Sequence, residues 1–138
     1  MAKKIIPLLE KILPFVAWGF FLGGMAWWFL APESRLATIE YNKGIDFFKR
    51  EDWDVAIACY SEAIRLKPDY ADAYYNRGIA YSKKGESDAA IKDFSEAIRL
   101  KPDDATAYYN RGNAYSKKGD KAKANADFAK ADELEAKK

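Results

Sequence analysis

The 138-residue chain is 49% apolar and 32% charged, the balance of a folded domain rather than a disordered one. It contains no histidine and a single cysteine, which excludes histidine acid–base chemistry, Cys/His zinc sites and intramolecular disulfides. Net charge is +2, and beyond Lys3, Lys4, Glu10 and Lys11 the rest balances at 20 basic and 20 acidic residues, so nothing draws the chain to a nucleic-acid backbone.

After a short basic segment at 1–11 comes Ile12 to Pro32, ILPFVAWGFFLGGMAWWFLAP, without one charged residue. About 20 residues of helix at 1.5 Å each cross a hydrocarbon core of about 30 Å. Trp27 and Trp28 lie at its far end, where indole rings favour the headgroup layer. The expectation is a transmembrane helix over 12–32, in contact with lipid. The rival is a cleavable secretory signal, with Gly24-Met25-Ala26 as a small-x-small site, which would release a soluble secreted module. Against it, the apolar run continues through Trp27, Trp28, Phe29 and Leu30. Three lysines precede the span and Arg35 follows it, which places the N-terminus in the cytoplasm. In a bacterium this is a single-pass inner-membrane protein with its remainder in the periplasm. Gly19 and Gly23 form a G-x-x-x-G spacing, which lets a second membrane helix approach closely.

Residues 33–36 read as a very short linker: Pro32 discourages continuation of the incoming helix, and Ser34 suits the N-cap of the next. From Ala37 a pattern returns every 34 residues, dividing 37–138 into units 37–70, 71–104 and 105–138. Gly44, Gly78 and Gly112 fall in register, as do Phe47, Tyr81 and Tyr115, and Ala56, Ala90 and Ala124. So do Tyr60, Phe94 and Phe128, and Ala63, Ala97 and Ala131. Within each unit the apolar positions recur at three- and four-residue spacing, a helical period. Gly85 and Gly119 suit the left-handed residue that ends a helix; Glu51, at the same point of the first unit, is a poorer terminator. Pro68 and Pro102 close the second helix of their units. Each unit is therefore helix–turn–helix, and none can bury its apolar face alone, so the units must stack. Cys59, inside such a helix, reads as a small buried apolar side chain.

Tyr74-Tyr75-Asn76-Arg77-Gly78-Ile79-Ala80-Tyr81, then Ala90 to Phe94, then Pro102, resembles the tetratricopeptide repeat (TPR) family pattern W-x-x-L-G-x-x-Y, A-x-x-x-F, P. Lys43, Arg77 and Arg111 depart from its leucine, and Glu40 or a tyrosine from its tryptophan. The resemblance implies an all-α fold, a TPR superhelix (an α-solenoid of three helix–turn–helix repeats) preceded by one transmembrane helix. In the third unit Asn125 and Asp132 replace the isoleucines at 57, 91, 64 and 98, which makes the last face polar, as on a terminal repeat.

The resemblance also implies a concave groove lined by the first helix of each unit. Carried onto this chain, that groove comprises Tyr41, Asn42, Ile45 and Phe48, then Tyr75, Asn76, Ile79, Ser82 and Lys83, then Tyr109, Asn110, Asn113 and Lys117. Asn42, Asn76 and Asn110 make a ladder of amides able to hold an extended peptide backbone, or simply to fit the fold. The family's chaperone-tail clamp is not expected: of Tyr41, Ile45, Asn76, Thr106 and Asn110 at its positions, only Asn76 matches. Acids and bases are spread along solvated faces without convergence, so no enzyme, cofactor, metal or small-molecule substrate is expected. The expected function is protein–protein association at a membrane surface, through an extended peptide segment or a subunit of a membrane complex.

Overall fold

A computed structural model of the chain describes residues 32–137, which form six α-helices and no strand. These are α1 (Pro32–Lys49), α2 (Trp53–Leu66), α3 (Ala71–Lys83), α4 (Ser87–Leu100), α5 (Ala105–Lys117) and α6 (Lys121–Glu135). The chain divides into two units, Met1–Arg35 and Leu36–Lys138, and the repeat array is the second. Residues 12–31 of the expected membrane span, with Gly19 and Gly23, lie outside the described residues. Among the described helices none is long and apolar enough to cross a membrane.

One boundary differs from expectation. Residues 33–36, expected as a linker, are helical and continuous with the rest of α1, and Ser34 lies inside that helix instead of capping it. Proline restricts the residue before it, whereas its own fixed φ is a helical value, so nothing after Pro32 opposes helix. The other ends behave as their residues dictate. Gly85 and Gly119 take φ of +80° and +85°, and Lys67 and Lys101, each before a proline, are extended. Glu51 takes the same left-handed turn at φ +61°. The repeat geometry thus imposes on a glutamate a conformation that strains any residue with a Cβ.

The core is built from alanine facing aromatic rings. Ala56, Ala63, Ala73, Ala80, Ala90 and Ala107 are fully buried, and Tyr60 and Phe94 nearly so. Within each repeat the first helix presses a glycine against the ring of the second. A Cβ built on Gly78 would stand 2.9 Å from the Phe94 ring, and one on Gly44 2.5 Å from Tyr60. With Phe94 enclosed, its ring has nowhere to retreat, so glycine sets how closely the two helices approach. Cys59 is only partly buried, less than its helical setting led us to expect.

A polar contact fixes one repeat against the next. Arg77, on α3, donates from Nε and Nη2 to both carboxylate oxygens of Asp93 on α4, at 2.7 and 2.8 Å. Its Nη1 donates to Ser61 Oγ on α2, in the preceding repeat, at 2.9 Å. Arg111, Asp127 and Ser95 repeat this one interface on, at 2.8, 2.7 and 3.0 Å. Asp93 and Asp127 are the buried charged residues among those described. Each serine hydroxyl donates to a carbonyl of its own helix, Ile57 or Ile91, at 2.7 Å, leaving lone pairs for the arginine. The arginines that replaced the family leucine are therefore inter-repeat latches, and every described buried side-chain polar atom has a partner.

Two outcomes follow for stability. Replacing Glu51 by glycine relieves about 1 kcal/mol of left-handed strain, so the thermal midpoint of the full chain, followed by circular dichroism, rises by several degrees. An unchanged or lower midpoint rules the strain out. Asp93→Ala leaves the Arg77 guanidinium unpaired and costs about 3 kcal/mol in urea unfolding. Adding Arg77→Leu to that variant recovers much of the loss, and strictly additive costs would contradict the latch.

Candidate functional site

The residues expected to line a groove lie on the first helices α1, α3 and α5, and the structure separates them by what they touch. Ile79, Ser82 and Lys83 of α3 and Asn110, Asn113 and Lys117 of α5 line one cavity of about 370 Å³. Phe94, Ala114 and Ser116 complete its wall. The floor is apolar where Ile79, Phe94 and Ala114 meet, and the rim carries amides, hydroxyls and the two lysines. No group of three or more His, Cys, Asp or Glu able to hold a metal ion occurs among the described residues.

The second group is engaged within the fold. Asn76 Nδ2 donates to Tyr41 Oη at 2.7 Å, and Asn110 Nδ2 to Tyr75 Oη at 2.8 Å. Each bond joins the first helix of one repeat to the first helix of the next. Burial pushes the Tyr75 hydroxyl above the usual phenol range, with the Asp104 charge adding to it and the Asn110 bond opposing. The tyrosine rings are seated as well: Tyr41 lies 4.9 Å from Tyr70 and 5.8 Å from Tyr60, and Tyr75 lies 5.9 Å from Phe94. Two rungs of the amide ladder, Asn76 and Asn110, accordingly have a structural use. Each amide still keeps its oxygen and one N–H for something else.

The repeat-one residues do not line the cavity. Asn42 is exposed, Ile45 is half-buried, and Phe48 packs edge-on against Trp53 at 4.8 Å. Tyr109 is 53% exposed, standing where Tyr41 and Tyr75 are covered by the repeat that follows them. Burial pushes the Cys59 thiol up from its ordinary value, with the Glu40 charge adding to that and Lys43 opposing.

Comparison with known proteins places this architecture. Models of the TPR repeat match residues 44–85 and 80–119, and a tetratricopeptide repeat model matches 105–138. No curated protein sequence matches the chain. Among solved structures it is similar to MamA, at 39% identity and a TM-score of 0.72 over 73% of this chain and 59% of that one. The chain thus spans well under two thirds of MamA. It is also similar to the second TPR domain of Spaghetti (RPAP3), solved with the HSP90 peptide SRMEEVD, at 32% identity and a TM-score of 0.71. That match covers 73% of this chain and 94% of the other. A third is the TPR2B domain of yeast Sti1 in its complex with pHsp70, at 29% identity and a TM-score of 0.73 over 75% and 83% of the two chains.

If the tyrosine–amide bonds stiffen the groove, Tyr75→Phe removes the acceptor while leaving the cavity lining untouched, and costs about 1 kcal/mol. Asn110→Ala should cost a similar amount, and the pair together little more than either alone. Full additivity in the unfolding cycle would show that the two groups are not coupled.

Proposed function

Because this chain belongs to the tetratricopeptide repeat family, we propose that it is a non-enzymatic, membrane-anchored module that holds an extended segment of a partner protein in its concave groove. The observation that carries the reading is the cavity between α3 and α5, where six of the groove residues expected from sequence converge. An apolar floor ringed by amides and hydroxyls suits a peptide, whose backbone needs donors and acceptors while its side chains seek apolar cover. The second TPR domain of RPAP3, which shares the fold, was solved bound to an HSP90 peptide, and this supports a peptide as the occupant here.

The anchor rests on the uncharged run from Ile12 to Pro32, and the orientation on the lysines before it. On this reading the repeats sit beside the membrane, in a bacterium on the periplasmic face, and the protein acts as an adaptor for what the groove recruits. The G-x-x-x-G at Gly19 and Gly23 favours a second role, as an accessory or assembly subunit packed against another membrane helix.

Affinity capture with the full-length, detergent-solubilised protein separates the two roles. Under the adaptor reading, Ile79→Glu with Asn113→Leu reduces recovery of the partner at least tenfold, and Gly19→Leu with Gly23→Leu leaves it unchanged. The reverse pattern assigns the contact to the membrane helix. Intact mass tests the anchor: loss of roughly the first 26 residues from the mature protein would replace it with a secreted module.

A further inference from the structure

The charges around the cavity point to what fills it. Its nine lining residues include Lys83 and Lys117 and no acid. These two lysines occupy the same position in successive repeats, and neither makes an ion pair among the described residues. Their sequence neighbours behave differently. Lys84 is held by Asp54 at 2.6 Å and Glu86 at 2.8 Å, and Lys118 by Asp88. Asp72, the acid in the first turn of α3, is bonded to Lys101 at 2.7 Å. One lysine of each Lys-Lys pair is thus spent on the fold, and the other stands over the groove with its charge uncompensated.

We propose that the cavity takes an extended acidic segment, with two carboxylates about three residues apart and an apolar side chain between them. The proposal rests on the groove reading above and adds the chemistry of the occupant. Lys83 and Lys117 stand on neighbouring first helices joined by the Asn110–Tyr75 bond, and a polyproline II segment rises about 3.1 Å per residue. Acids at positions i and i+3 of such a segment then sit about 9 Å apart on one side, within reach of both ammonium groups. The side chain between them lies against Ile79, the part-exposed apolar residue of the cavity, and the backbone meets the free oxygen and N–H of Asn110, with Asn113, Ser82 and Ser116. This geometry differs from the clamp positions of the family, where this chain places Tyr41, Ile45, Thr106 and Asn110. Here the lysines grip side-chain carboxylates along the segment.

Fluorescence anisotropy on the full-length protein in detergent tests it, with a labelled peptide centred on Glu-Leu-Ala-Glu and its Gln-Leu-Ala-Gln counterpart. The acidic peptide should bind saturably and at least fivefold tighter than the amide peptide, with the difference shrinking as salt is raised. Lys83→Gln with Lys117→Gln should weaken the acidic peptide about five- to tenfold, while Lys84→Gln leaves it unchanged. Melting of each variant shows whether the array is intact. Equal binding of the two peptides, lost in Ile79→Glu, would keep the groove and overturn the acidic preference. Binding that survives the double lysine variant places the peptide elsewhere and overturns the site. Absence of binding by either peptide overturns the proposal, and partner capture by the Ile79 and Asn113 variants then decides the groove separately.

Discussion

The geometry of this array rests on a guanidinium held by three helices at once. Arg77 reaches α2, through Ser61, and α4, through Asp93, from its own place on α3. Alanine and glycine let helices approach closely, but small residues alone permit sliding, because dispersion is not directional. A planar fork with two carboxylate bonds and one hydroxyl bond accepts only one angle and one offset. The tyrosine–amide bonds add a second tie between first helices, one at each repeat interface. With both ties in place, α3 and α5 are set side by side at a fixed spacing, and the cavity between them has defined walls.

The ends of the array lack this device. In repeat one the arginine is replaced by Lys43, which bonds Glu40 of its own helix at 2.6 Å, and the aspartate by Cys59. In repeat three Ala129 stands where Ser61 and Ser95 do. The outer surfaces differ in kind as well. Leu36 and Ile39 are about half exposed on α1, whereas Asn125 and Asp132 make the corresponding side of α6 polar. Cooperativity in stacked repeats comes from neighbour contacts, so the middle repeat, latched on both sides, is the most firmly held of the three.

Much of this was legible in the sequence because it follows from local rules. The 34-residue period, the glycines at 85 and 119 and the prolines at 68 and 102 announce helices and turns from the residues themselves. The latch was not legible, since its partners are 16 residues apart on different helices and each looks like one more charge on a solvated face. A signal existed all the same: Asp93 and Asp127 each immediately precede a core phenylalanine, 16 residues after an arginine, in two repeats running. Ser34 reads as a cap because serine favours that position, yet it lies inside α1, where Pro32 constrains only the residue before it. The cavity was found only in part, since helix phase identifies who faces the concave side but not which neighbours the rings of repeat one will choose.

Identical latches at both interfaces also make the units interchangeable. Excising residues 71–104 would bring Ser61 against Arg111 and Tyr41 against Asn110, each a pairing the architecture already uses. Inserting a further copy would create the same joint again. A lineage carrying this chain can thus lengthen or shorten its groove by whole rungs, through unequal crossing-over, while reusing both ties.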